Sequence, residues 1–237
     1  MAATALVLAP GLMCDDTVWR ARLAAIGATI PVRVADHGKL DSLPAMARAL
    51  LQSAPRRFAL AGHSMGGRVA LEVVRLAPER VTHLALLNTG CRALPSGDAG
   101  VRERRVREGF LKLAREQGVQ AMARHWVRGM VHRDRLRDEA LVEEIVQMFV
   151  RRPAGVFAAQ IRALLERPDA SGLLTAIRVP TLVLTGDHDT NSPPAVNQEI
   201  ASAIPGADLC VIERCGHMSM QEQPALVVAA LQQWLQR

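Results

Sequence analysis

The 237-residue sequence predicts an α/β fold, a mostly parallel sheet with helices on both faces and a helical segment inserted late in the strand series. Three observations carry this. Short apolar runs alternate with segments whose apolar residues recur three and four apart, the strand–helix–strand order of parallel sheets. The runs TLVLT and LALLN are apolar throughout, as strands covered by helices on both faces must be. Between residues 92 and 175 the alternation stops: four amphipathic helical patterns follow one another with no strand pattern, and 16 Arg/Lys stand against 11 Asp/Glu, five of the chain's six net positive charges.

In chain order, TALVLA (4–9) reads as a first strand, followed by a helix over about 16–26 that carries Trp19. IPVRVAD (30–36) is the second strand and about 42–53 the second helix. A third strand ends at Ala61, and a helix starts near Met65. THLALLN (82–88) then leads into the insertion, after which PTLVLTG (180–186), a helix from about Pro194, ADLCVIE (207–213) and a closing helix at about 224–236 resume the alternation. The predicted core is therefore 1–91 with 176–237, and the predicted insertion is 92–175.

A chain of this length, 49% hydrophobic, buries enough core to fold without disulfides. Cys14, Cys91, Cys210 and Cys215 show no C-x-x-C or zinc-ligand spacing and are expected as reduced thiols. No uninterrupted apolar run reaches about 18 residues. MAATALVLAPG has no basic segment ahead of its apolar stretch, so neither a membrane span nor a signal peptide is expected, and the expected compartment is the cytoplasm. With no Tyr, four Phe and three Trp, the chain lacks the aromatics of a base-stacking surface, and no nucleic-acid partner is expected.

The chemistry gathers at LAGHSMGGRVALEVV, residues 60–74. A strand and a helix separated by so few residues force a sharp bend at Ser64, and Gly62 and Gly66 flank it where a Cβ would collide. The spacing G-x-S-x-G is that of a nucleophile elbow, which pushes the serine Oγ out at the carboxyl end of a strand. A serine hydroxyl is a poor nucleophile unaided, so it needs a base, and the base needs an orienting acid. Asp187 and Asp189 leave the strand that ends at Gly186, and His217 leaves the last strand before the final helix. The first strand ends in Pro10-Gly11, and the following loop can turn the Leu12 N–H towards Ser64; with the Met65 N–H it would form an oxyanion hole. This set of groups favours acyl transfer without a cofactor.

APGLMCDDTVW, LAGHSMGGRVALEVVRLAPERVTHLALLNT, VPTLVLTGDHDTNSPP and GHMSMQEQPALVVAAL together resemble the α/β-hydrolase superfamily over essentially the whole chain. The resemblance implies the α/β-hydrolase fold, with a helical cap inserted after the sixth-strand region of that fold. It also implies Ser64 as nucleophile, His217 as base and Asp189, three residues beyond Gly186, as the acid. Pro10 departs from the His of many relatives' H-G motif, and ADHGKLDS replaces their D-x-P-G-x-G-x-S loop.

The leading functional reading is hydrolysis of a small carboxylic ester through an acyl-enzyme. Thioesters and lactones are handled by the same residues, and so are carbon–carbon hydrolysis and perhydrolysis. A non-catalytic binding protein on this fold is the alternative of another class, against which the intact Ser, Asp and His argue; nucleic-acid binding through the basic insertion rests on charge alone. The same charge, with Arg124 and Arg128 four residues apart on one helix face, leads us to expect an anionic or carrier-linked ester or thioester. His63 and Trp19 are further candidates to touch substrate, and His125 and Trp126 to border the pocket. His188 has no partners at metal-ligand spacing, so no metal site is expected. Cys14 and Cys215 read as packing residues.

Overall fold

The computed structural model describes residues 5–19 and 30–237. Six strands, β1 (Leu6–Ala9), β2 (Val32–Val34), β3 (Phe58–His63), β4 (Val81–Leu87), β5 (Thr181–Gly186) and β6 (Asp208–Ile212), form one sheet in the order β2-β1-β3-β4-β5-β6. Every neighbouring pair is parallel, as the strand–helix alternation requires. The inner strands β1, β3 and β5 are buried at every residue, whereas the edge strands β2 and β6 are partly exposed. The runs that are apolar throughout are therefore the ones covered on both faces. The expected helix over about 16–26 is described only as far as Trp19, and the rest of it lies outside the described residues.

Helix α1 (Leu43–Ser53) begins where Ser42 Oγ accepts from the Ala45 N–H at 3.3 Å, satisfying one of the amides a helix start leaves open. It packs on α2 (Met65–Leu76), whose residues Met65, Val69, Ala70 and Val73 are buried against the sheet and α1. Helices α3 (Gly97–Glu116), α4 (Gly118–Trp126), α5 (Glu139–Val150) and α6 (Ala154–Leu165) lie between β4 and β5, so the insertion follows the fourth strand of this chain. After β5 come α7 (Pro194–Ala203), β6, the short α8 (Ser219–Glu222) and α9 (Pro224–Leu235).

The inserted helices carry an aromatic centre of their own, with Trp126 stacked on Phe149 at 5.0 Å and tilted against Phe157 at 5.7 Å. Long side chains tie them to the loops that follow β1 and β2. Gln160 on α6 accepts from the Met13 N–H at 2.9 Å and donates to the Gly38 carbonyl at 3.1 Å. Arg151 pairs with Asp15 at 2.7 Å and Arg162 with Asp41 at 2.9 Å. These contacts hold the insertion over the carboxyl ends of the strands, where ligands of open parallel sheets bind. Among the described residues no helix is long and apolar enough to cross a membrane.

Candidate active site

Ser64 follows β3 directly, with φ 54° and ψ −115°, a strained left-handed conformation for a residue with a side chain. Its surroundings over-determine it. The Ser64 N–H donates to the Leu87 carbonyl at 2.9 Å, and its own carbonyl accepts from Thr89 Oγ1 at 2.7 Å. A Cβ on Gly62 would come within 2.3 Å of the Gly66 carbonyl, and one on Gly66 within 2.0 Å of the Ala9 carbonyl. Only glycine allows strand and helix this close.

The bend brings Ser64 Oγ to 2.8 Å from His217 Nε2. On the other side of the ring, His217 Nδ1 lies 3.0 and 2.9 Å from the two Asp189 carboxylate oxygens. The three residues come from loops after β3, β5 and β6. Asp189 is almost fully buried and well provided with donors: Oδ1 accepts from the N–H groups of Asn191 and Ser192, each at 2.9 Å, and Oδ2 from Asn88 Nδ2 at 3.0 Å. Burial alone would raise its carboxyl. The neighbouring His217 ring and these donors outweigh that and hold it below the usual carboxylate range.

Asp187 faces elsewhere. Its Oδ1 is 2.7 Å from His188 Nδ1 and accepts from the Cys215 N–H at 3.0 Å, fastening two loops together. Although burial works against it, the His188 and backbone bonds lower this carboxyl to about 2. Of the two carboxylates the sequence offered here, Asp189 is the one against His217.

Leu12 and Met65 line a chamber of about 80 Å³ together with Ser64 and His217. Met65 opens α2, so its N–H has no acceptor within the helix, and the Leu12 N–H donates to nothing among the described residues. His63 also lines the chamber; its Nε2–H donates to the His217 carbonyl at 2.9 Å. Burial and the nearby His217 lower the His63 ring to about 3, so it stays neutral.

A larger cavity of about 790 Å³ adjoins the chamber and shares Leu12, Arg68, Arg107, Trp126 and Asn191 with it. His125, Trp126 and Arg128 line this cavity, as candidates for the pocket wall should. Two candidates do not. Trp19 is buried in the hydrophobic core and lines neither cavity. Arg124 pairs with Glu143 at 2.8 Å on the exposed side of α4 and lines a separate groove, which Arg128 also borders while reaching the large cavity. Cys14 and Cys215 are buried, and burial pushes the Cys14 thiol up to about 12 and raises Cys215 as well.

Two supporting residues escaped the sequence reading. Asn88, fully buried with φ 50°, donates to Asp189 and accepts from Ser219 Oγ at 2.6 Å. Glu222 on α8 accepts from the Gly216 N–H at 2.9 Å and the His132 N–H at 2.7 Å, while the Met130 carbonyl accepts from the His217 N–H at 2.7 Å. The loop that carries His217 is thus fixed to the inserted segment. An asparagine at a strand end is a recognisable left-handed signal, but partners 101 residues away are not.

Comparisons with known proteins agree with this architecture. The sequence profile of the Alpha/beta hydrolase family matches residues 6–230. A pimeloyl-[acyl-carrier protein] methyl ester esterase from Nitrosomonas europaea is 24% identical over 92% of the chain and 91% of its own length. The structure of a thermophilic esterase from Thermogutta terrifontis superposes with a TM-score of 0.86 at 28% identity, covering 99% of this chain and 90% of that one. An enol-lactonase from Burkholderia xenovorans shares the fold with a TM-score of 0.86 at 23% identity, covering 100% and 93% of the two chains.

Proposed function

The chain belongs to the alpha/beta hydrolase family and is a hydrolase; from that premise we propose that it cleaves a small carboxylic ester through a Ser64 acyl-enzyme. The observation that carries this reading is the unbroken relay from Ser64 Oγ to His217 Nε2 at 2.8 Å and from His217 Nδ1 to Asp189 at 2.9 Å. In the first half-reaction His217 takes the Ser64 proton as Oγ attacks the ester carbonyl carbon. The oxygen that becomes negative is stabilised by the Leu12 and Met65 N–H groups, and His217 returns its proton to the departing alcohol. Water, deprotonated by the same ring, then releases the acid and restores Ser64. Asp189 holds the ring in the needed tautomer and offsets its positive charge.

The inserted helices act as a cap over this site, and their lining, not the relay, selects the leaving group. The named activity of the Nitrosomonas relative supports including a carrier-linked methyl ester among the substrates tried. The test is a panel of p-nitrophenyl esters, acyl thioesters and lactones compared by kcat/KM, with Ser64→Ala alongside. Ester turnover that disappears in Ser64→Ala is the expected result. A panel dominated by thioesters or lactones would reassign the substrate, and hydrolysis that survives in Ser64→Ala would remove the mechanism.

A further inference from the structure

Arg68, Arg102, Arg107, Arg128 and Arg167 line the large cavity, and Glu103 is the only acid among its lining residues. Positive charge gathered in a concave, partly apolar space is unfavourable unless a negative partner completes it. Glu103 is already committed. Arg167 grips it twice, Nη1 to Oε1 at 2.7 Å and Nη2 to Oε2 at 2.9 Å, and Arg107 adds Nε to Oε1 at 3.0 Å. Arg68 has no carboxylate partner among the described residues. Its Nη1 donates to the Arg92 carbonyl at 2.8 Å, the same oxygen that accepts from Arg167 Nε at 3.1 Å. Burial and the charges of Arg167 and Arg107 push the Arg68 guanidinium down to about 9, and burial lowers Arg107 too. Both shifts have the sign of groups that an arriving anion would relieve.

Position decides what that anion belongs to. Arg68 stands four residues after Ser64, one turn along α2, and Arg68 and Arg107 line the chamber around Ser64 as well as the large cavity. The chamber has room for the reacting group and a short stretch of chain. An anion at the two arginines is therefore separated from the scissile carbonyl by only a few bonds, and guanidinium donors suit a carboxylate or phosphate.

We propose that Arg68 and Arg107 form an oxyanion-binding subsite, and that the substrate is an ester carrying a carboxylate or phosphate a few bonds from the carbonyl that Ser64 attacks. Arg167 acts at one remove, fixing Glu103 and through it Arg107. This deepens the ester-hydrolase reading and rests on it. It also moves the recognition of charge from the exposed Arg124 to the cavity wall.

The experiment compares kcat/KM at low salt for matched pairs: monomethyl adipate against methyl hexanoate, which differ on the acyl arm, and glycerol-phosphate butyrate against glycerol butyrate, which differ on the alcohol arm. The wild type is expected to prefer the charged member of one pair, and that pair identifies the arm. Arg68→Gln should reduce the preference by roughly 30-fold or more, the usual cost of removing one partner from a desolvated charge pair. Arg124→Gln removes the same unit of charge outside the cavity and should leave the preference intact. Turnover of neutral and charged esters alike, or a preference that survives Arg68→Gln, overturns the subsite and leaves the esterase reading standing. If no ester is turned over, the esterase reading fails, and thermal melts decide the subsite separately. Adipate or inorganic phosphate should then raise the Tm of the wild type and not of Arg68→Gln; no such rise overturns the subsite.

Discussion

Asp187 and Asp189 stand two residues apart in one loop, yet only Asp189 faces His217, and their variants should separate accordingly. Asp189→Asn loses the charge that steadies the imidazole and is expected to lower kcat by about 10³-fold or more. Asp187→Asn should cost little in kcat and show itself in stability. The Asp187 carboxyl is lowered to about 2 in the folded protein, so its stabilisation is complete above the ordinary value of 3.8 and is lost as pH falls through about 2. The Tm difference between wild type and Asp187→Asn should therefore close as pH approaches 2; a gap that widens on acidification would show that the loop is held by something else. Thiols give a second expectation. Burial raises all four cysteines, so iodoacetamide at pH 8 should leave esterase activity intact, and rapid inactivation would mean that Cys14 opens to solvent. Ser64, Asp189 and His217 were legible because a serine elbow and strand-end loops have local signatures. Asn88, Glu222, Arg68 and Arg107 were not, since their roles come from partners distant in sequence. Arg124 and Arg128 share an exposed groove, as their spacing implies, but only Arg128 also reaches the large cavity, which periodicity alone does not say.

The turn between β3 and α2 makes the sharpest demand of any element. On Gly66 an added Cβ would lie 2.0 Å from the Ala9 backbone oxygen, and backbone gives way less easily than a side chain. Gly66→Ala is expected to cost about 1–3 kcal/mol, as overpacking does, and to remove activity by displacing Ser64. A variant that melts like the wild type and turns over normally would show that the turn has slack. Helix α8 carries the complementary device. Glu222→Gln keeps the shape but sets an amide NH₂ against one of the two N–H donors now satisfied by the carboxylate. It should destabilise the fold by about 1–3 kcal/mol and lower kcat with little change in KM, because the His217 loop loosens while the cavity wall stays in place. Unchanged kcat with a reduced Tm would confine Glu222 to stability. Strand and helix positions in this chain were readable from periodicity, with edges off by a few residues. IPVRVAD forms only the short edge strand Val32–Val34, where pairing on one side gives the pattern little to fix.

Across the whole molecule, a parallel sheet delivers the loops that follow its strands to one rim and an inserted helical layer closes over them. Gln160, Arg151 and Arg162 make that closure specific. The sheet, its parallel order and the insertion followed from sequence because apolar runs, helical spacing and a break in composition are one-dimensional signals. The cavity between the layers did not, since its lining is drawn from β-strand loops and from three inserted helices at once. What unites the molecule in function is the claim that its strained serine attacks the substrate. The direct measurement is pre-steady-state hydrolysis of p-nitrophenyl butyrate, followed by mass spectrometry of the chain quenched during turnover and of a fluorophosphonate-treated sample. A burst of close to one equivalent of p-nitrophenol per chain is expected, with the butyryl and phosphonyl groups both on the peptide containing Ser64 and both absent from Ser64→Ala. A covalent adduct on any other residue, or undiminished turnover by Ser64→Ala, would contradict it.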